Sequence, residues 1–291
     1  MSVVKHRLLC YIVSGALVVA SVVSIAVFGL RLGIDFTGGS ILEVTYESAP
    51  AIEDVRMAIE GAGFTGGSVQ PANETGVLLR QRTLSEEQHQ QLLTVLETFG
   101  DVDELRFDSI GPVIGQELMR KSLIALVLIF LATILYVAWS FRKASHYVTS
   151  WKYGCLTVVA AIHDVIIPVG VFAVLGATND VTIGTAFVAA LLTILGYSVN
   201  DTIVIFDRVR ENVLKGGEAF DDIVDKSIRQ TLARSVNTTL TTLLSLVAIF
   251  FFGGETTKDF ALALMIGIGV GAYSSIFIAA PLLVTWQKRV E

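Results

Sequence analysis

Gly196-Tyr197-Ser198-Val199-Asn200-Asp201-Thr202 sets a carboxylate inside the stretch 183–206, whose flanking residues are apolar or small. A run of that length crosses a bilayer as a helix. An ionisable side chain at such depth costs about 2.5–3.5 kcal/mol on insertion scales, so it is read first as a functional group. The fold then depends on how many further spans surround Asp201.

Five more apolar stretches satisfy the same criterion, 8–30, 122–141, 154–175, 236–252 and 260–286, giving six spans in all. With 53% hydrophobic and 16% charged residues and a mean hydropathy of +0.67, the chain falls in the polytopic membrane class and outside that of soluble enzymes. The polar insert between the first two stretches is about 90 residues, too long for an ordinary loop, and reads as a domain. The expected layout is a first helix within 1–32, an extracytoplasmic domain over 33–118, and helices two to six over 119–291. Lys5, His6 and Arg7 open the chain as a secretory signal would. The uncharged run that follows exceeds the roughly 7–15 residues of a signal core, so an uncleaved anchor is expected. Cys10 and Cys155 lie in apolar spans, and no cysteine or histidine spacing suggests a disulfide framework or zinc. No metal and no redox cofactor is expected.

Orientation follows from lysine and arginine in the short connections. Arg142, Lys143 and Lys152 occupy the second-to-third link, and Arg208, Arg210, Lys215, Lys226, Arg229 and Arg234 crowd the fourth-to-fifth, whereas 176–181 and 253–259 hold only Lys258. Both termini are therefore expected on the cytoplasmic side and the insert on the outer side. The net charge of −6 reflects mostly the acidic insert and gives no sign of nucleic-acid binding.

Within the insert the period alternates between strand and helix. Residues 40–47 alternate through Ile41, Leu42, Val44 and Tyr46, and 51–62 place Ile52, Val55, Ile59 and Ala62 on one helical face. Short strands are expected at 66–70 and 77–82, a helix over 84–99 opened by a Ser85/Gln88 capping box, and a closing strand over 102–110. The order βαββαβ is the split-βαβ or ferredoxin-like arrangement. His89 is assigned to a Gln-rich, solvated helix face, and no catalytic constellation is present. The insert reads as a binding or packing module.

Two spans carry acids. His163-Asp164 lies about ten residues into the third stretch, near mid-membrane at 1.5 Å per residue. Buried polar side chains of this kind often only bridge neighbouring spans. Asp201 lies on the order of 9 Å above the cytoplasmic end of its helix, on a turn made polar by Ser198, Asn200 and Thr202, and Arg208 returns to nearly the same face. Arg234, beside Thr238, Thr239, Thr241 and Thr242, is a candidate cation for it. A carboxylate poised between burial and a cation can load and release protons near neutrality. The competing reading is a permanently paired structural group. Gly267 and Gly271 form a small-xxx-small contact surface in the last span.

Four motifs together resemble one family. They are Gly33-Ile34-Asp35-Phe36-Thr37-Gly38-Gly39, Ile110-Gly111-Pro112-Val113-Ile114-Gly115-Gln116-Glu117-Leu118, Ala161-Ile162-His163-Asp164-Val165, and residues 196–201 running through Asp207-Arg208-Val209-Arg210-Glu211-Asn212. In this order, with six spans and one outer domain, the chain is similar to the SecF group of the SecD/SecF family, within the resistance-nodulation-division superfamily. The resemblance implies half of a transporter core in the bacterial inner membrane that assists late-stage protein export by coupling the proton motive force to movement of the outer domain. It implies an obligate SecD partner, since the chain reaches Glu291 without a SecD half, together with the SecYEG channel, a translocating preprotein and membrane lipid. In the family the aspartate matching Asp201 is required for proton passage, and Arg234 is placed by context as the implicated arginine. Asn200, Asp164 and His163 join them as proton-path candidates. Gly33, Asp35, Phe36, Gly38, Gly39, Gly111, Pro112, Gly115 and Glu117 are candidates for domain coupling, and Asp207, Arg208, Arg210, Glu211 and Asn212 form a cytoplasmic motif. Protons are the expected coupling ion; a carboxylate with polar neighbours suits sodium equally.

Two other classes fit the composition: a small-molecule or lipid exporter of the same superfamily, and a non-transporting scaffold for the translocon. An enzyme is disfavoured, because neither a Gly-x-Ser-x-Gly elbow nor a His-Glu-x-x-His pair occurs.

Overall fold

The structure is a computed structural model that describes residues 2–72, 74–142 and 148–288. Lys143 and Glu291 lie outside the described residues. The chain divides into two compact units, a membrane unit of Met1–Arg31 and Ile124–Glu291 and an insert unit of Leu32–Leu123.

In the insert unit a four-residue helical turn, α2 (Ile34–Thr37), leads into β1 (Gly39–Tyr46), followed by α3 (Ile52–Gly61), β2 (Ser68–Ala72), β3 (Gly76–Gln81), α4 (Glu86–Leu96) and β4 (Val102–Ile110). The sheet runs β2-β3-β1-β4 with every neighbouring pair antiparallel. This topology is compatible with the split-βαβ arrangement expected from the sequence. Alternation along β1 turns Leu42, Val44 and Tyr46 to one face, where they meet Val69, Val77 and Leu79 from the other strands. Val55 and Ile59 of α3 and Leu92 and Leu96 of α4 close that core. β2 begins two residues later than the alternation suggests and takes in Pro71, which an edge strand tolerates because its N–H side needs no partner. Ser85 caps α4 by accepting from the Gln88 amide while the Gln88 side chain accepts from the Ser85 amide, the reciprocal pattern expected.

His89 departs from expectation. It is 4% exposed, with its ring stacked on Phe107 of β4 at 3.7 Å between centroids. Nε2 lies 3.1 Å from Glu104 and Nδ1 3.5 Å from Glu86. The neighbouring glutamines do face solvent, but the helical period carries position 89 round to the side of Leu92 and Leu96, against the last strand.

Among the described residues, six helices are long and apolar enough to span a bilayer. They are α1 (Arg7–Phe28), α5 (Pro112–Ser140), α6 (Ser150–Asn179), α7 (Thr185–Lys215), α8 (Phe220–Phe252) and a last span made of α9 (Glu255–Ser274), a π-helical turn (Ser275–Ala279) and α10 (Ala280–Lys288). Several overrun their apolar stretches. α8 begins at Phe220 because Ile223, Val224 and Ile228 form an apolar stripe packed with Val209 and Val213 at the far end of α7. At the same end Phe141 stacks on Tyr153 and Phe206 meets both rings edge to face, with centroids 4.7–6.5 Å apart. Val4 and Ser2 bond to the buried Asp225 of α8.

α6, α7 and α9 form the centre, and small residues bring them close. A Cβ on Gly267 would collide with the Ile194 side chain, and one on Gly271 would lie 3.2 Å from Ser198 Cβ, so both glycines act as the expected packing surface. Gly170 of α6 meets Ser21 of α1 in the same manner.

Candidate functional site

Asp164 of α6 is fully buried, and both its carboxylate oxygens are hydrogen-bonded. Oδ2 accepts from Ser198 of α7 at 2.5 Å and from Ser274 of α9 at 2.7 Å, and Oδ1 lies 2.9 Å from Nδ1 of His163. One side chain thus ties three helices in a site shielded from solvent, where charge-assisted bonds are strongest. The other ring nitrogen of His163, Nε2, is buried without a hydrogen-bond partner.

Asp201 of α7 is 7% exposed and differently served. Oδ1 accepts from Ser235 of α8 at 2.5 Å, whereas Oδ2 has no hydrogen-bond partner among the described residues. Thr202 and Ser275 share a 2.9 Å hydroxyl–hydroxyl bond, and Ser275 also faces the Asp201 carboxyl. Thr239, one turn beyond Ser235, is buried with an unpartnered hydroxyl. The two acids therefore occupy one polar track through α6, α7, α8 and the last span, with one carboxylate bonded at both oxygens and the other at one.

Arg234 precedes Ser235 and is exposed on the outer side of α8; it makes no ion pair with Asp201 among the described residues, though its charge acts on that carboxyl. Asn200 is likewise exposed. Both sit on a face that carries Thr193 and Gly196 on α7 and Asn237, Thr238 and Thr241 on α8, also exposed in this chain. The cytoplasmic-motif residues pair among themselves, Arg208 with Glu211 at 2.8 Å and Arg210 with Asp207 at 2.9 Å. Arg208 does not reach Asp201. Asn212 reaches across to α8, donating to Ser227 and Gln230 at 2.9 Å each.

The two glycine motifs that bound the insert pack on each other within their own unit. Gly38 has φ of +76°, and a Cβ there would lie 2.7 Å from Pro112 Cα. A Cβ on Gly115 would lie 2.9 Å from both Gly38 N and Phe36 O, while Phe36 itself is buried. Gly39, with φ of +139°, would press on Gln81 O. Gly33 and Asp35 open the turn α2, Gly111 has open space around it, and Glu117 pairs with Lys121 at the surface.

Sequence reading had placed Asp164, Asp201 and Ser198 but not the serines that serve them from other helices. Ser235 hides in a Thr/Ser-rich helix, and Ser274-Ser275 in an apolar span. The only available signal was two adjacent hydroxyls one turn after Gly267–Gly271.

Comparison with known proteins is consistent along the whole chain. Residues 91–289 match the family described as protein export membrane protein SecD/SecF, C-terminal, and residues 23–50 match the SecD/SecF GG motif. The protein translocase subunit SecF of Thermobaculum terrenum is 42% identical over 99% of this chain and 94% of its own length. Protein translocase subunit SecDF of Thermus thermophilus is 36% identical over 96% of this chain and 38% of its own. The crystal structure of SecDF, a translocon-associated membrane protein from that organism, superposes with a TM-score of 0.87 at 33% identity, covering 99% of this chain and 39% of the other. The chain thus spans about two-fifths of SecDF and nearly all of SecF. On these matches, which cover nearly the whole chain, the chain belongs to the SecF group of the SecD/SecF family of protein-export membrane proteins.

Proposed function

We propose that this chain is the SecF-type half of a proton-driven export complex and that Asp201 is the group that takes and gives up the proton. The observation that carries the reading is the contrast between the two buried acids. Asp164 is hydrogen-bonded at both oxygens, twice on Oδ2 and once on Oδ1, while Asp201 is bonded on Oδ1 alone and keeps Oδ2 open beside hydroxyls that can donate or accept. A proton arriving at Oδ2 removes a charge without first breaking a hydrogen bond. Each charge crossing 100 mV releases about 2.3 kcal/mol, enough to bias a conformational equilibrium of a few kcal/mol. Asp164 and His163 brace the bundle around that event, and the insert, bounded by its interlocked glycine motifs, is the part that moves on the outer side.

The partner is a SecD-type chain. Arg234, Asn237, Thr238 and Thr241 on α8 and Asn200 and Thr193 on α7 are polar and exposed at membrane depth. Such groups are costly against lipid and are met by protein. The complex then works beside the SecYEG channel on an emerging preprotein, in the inner membrane with both termini cytoplasmic.

The test is pulse-chase export of a secretory protein in cells depleted of their own SecF and supplied with this chain and its SecD at matched membrane levels. Wild type restores export and Asp201→Asn does not. Equal rescue by both would remove Asp201 from the ion path. Repeating the measurement with the proton gradient collapsed and a sodium gradient retained distinguishes the coupling ion.

A further inference from the structure

The last span changes from α to π geometry at Ser275, directly after Ser274. π-turns inside α-helices are rare and concentrate at functional sites, because the extra residue re-aims neighbouring side chains. Here Ser274 and Ser275 are both fully buried and serve different acids. Ser274 donates to Asp164, while Ser275 bonds to Thr202 and faces Asp201. On α7 the same division recurs one turn apart, with Ser198 on Asp164 and Thr202 on Ser275. Asp164 is thus bonded by one hydroxyl from α7 and one from the junction, while Asp201 is faced by Ser275, which is itself bonded to Thr202.

We propose that Ser275, Thr202, Ser198 and Ser274 form a hydroxyl relay that carries a proton between Asp201 and Asp164, with the π-turn holding its two halves at one level. It rests on the reading of Asp201 as a proton carrier and adds Asp164 as a second station. In each hop an acid or hydroxyl O–H breaks as the next oxygen, through a lone pair, forms its own, so protonated Asp201 becomes carboxylate and the Asp164 carboxylate becomes acid. The hydroxyls finish with as many protons as they began with. Turning the Ser275 hydroxyl from Thr202 to Asp201 resets the chain. The step between Thr202 and Ser198 spans one helical turn and is closed by hydroxyl reorientation through Ser274 or by a bridging water. The bare Nε2 of His163 gives the Asp164 end an outlet.

The test uses the assembled complex of this chain with its SecD partner in liposomes, with proton flux read from an internal pH dye per assembled complex. Ser275→Ala and Ser274→Ala are each expected to lower flux at least about tenfold, the effect of raising one transfer barrier by one hydrogen bond. Ser275→Thr, which keeps the hydroxyl, restores most of it. Flux through the wild type slows in D2O by more than the solvent viscosity accounts for. Ile278→Ala, which loosens the same π-turn without removing a hydroxyl, leaves flux within about twofold. If Ile278→Ala loses as much as Ser275→Ala, or if both serine variants conduct normally while Asp201→Asn does not, the relay is wrong and the proton role of Asp201 stands. If Asp201→Asn conducts normally, both readings fall together.

Discussion

Replacing Asp164 by alanine is expected to cost the folded bundle about 2–3 kcal/mol, a value worked from its donors at average strengths for bonds between spans. The substitution strands the Ser198 and Ser274 hydroxyls and the His163 Nδ1 in a site with no exposed surface. The two bonds between spans, at about 0.6–1.7 kcal/mol each, and the histidine contact within α6, at about 1 kcal/mol, bracket the loss at about 2–4 kcal/mol. Removing a buried carboxylate also relieves its desolvation, which places the expectation in the lower half of that range. Asp164→Asn keeps an oxygen for the two serines and loses chiefly the histidine contact, about 1 kcal/mol. The assay is SDS titration of the purified protein in mixed micelles, followed by helical circular dichroism and by tryptophan emission, in which Trp151 and Trp286, edge to face with ring centroids 5.0 Å apart, report the closing of α6 on α10. A wild-type midpoint for Asp164→Ala would refute the clamp. An Asn variant as unstable as the Ala variant would show that the charge, and not the acceptor geometry, holds the helices.

Other substitutions test other contacts. Gly115→Val places a branched side chain against Gly38 N and Phe36 O and is expected to lower the thermal midpoint of the insert by the equivalent of about 1–3 kcal/mol; scanning calorimetry reads it. His89→Ala removes a buried ring from Phe107 and its link to Glu104, so it destabilises the insert, whereas Gln90→Ala at the exposed neighbouring position barely moves the midpoint. Burial pushes the Tyr46 hydroxyl up to about 12 from 10.0, so the folded insert keeps a proton that the unfolded chain releases. Tyr46 therefore contributes fully below pH 10 and progressively less up to pH 12, and Tyr46→Phe flattens that alkaline decline in a pH series of melts. Gly267→Leu collides with Ile194 and is expected to prevent α7 and α9 from closing, seen as loss of protease resistance in membranes.

The spans, the insert and its element order were legible because burial imposes a period: long apolar runs for α1 and α5 to α9, alternation for β1, a 3.6 repeat for α3 and α4. The overrun of α8 to Phe220 was not, because its first turns hold acids and lysine, and their helicity comes from packing Ile223 and Ile228 on α7. His89 was misjudged on the company it keeps in sequence, where glutamines outnumber the two leucines that set its face. Asp164 and Asp201 were found from the cost of burying a charge. Their serine donors were not, since hydroxyls cross membranes cheaply by bonding their own helix and leave no trace in hydropathy. The π-turn has no sequence signature at all.

In the sheet, Gly39 and Ile110, the first residue of β1 and the last of β4, pair directly across the ladder. The chain therefore leaves the insert within one strand spacing, about 4.8 Å, of where it came in. A segment with coincident ends behaves as a removable cassette. It can be lengthened, shortened or exchanged for another fold between 39 and 110 without altering the separation that the two flanking helices must keep, provided the glycine contacts on either side are retained. Size and surface of the insert can then change between those two positions while the rest of the chain is held fixed, and a transplant there is the most economical chimera to build.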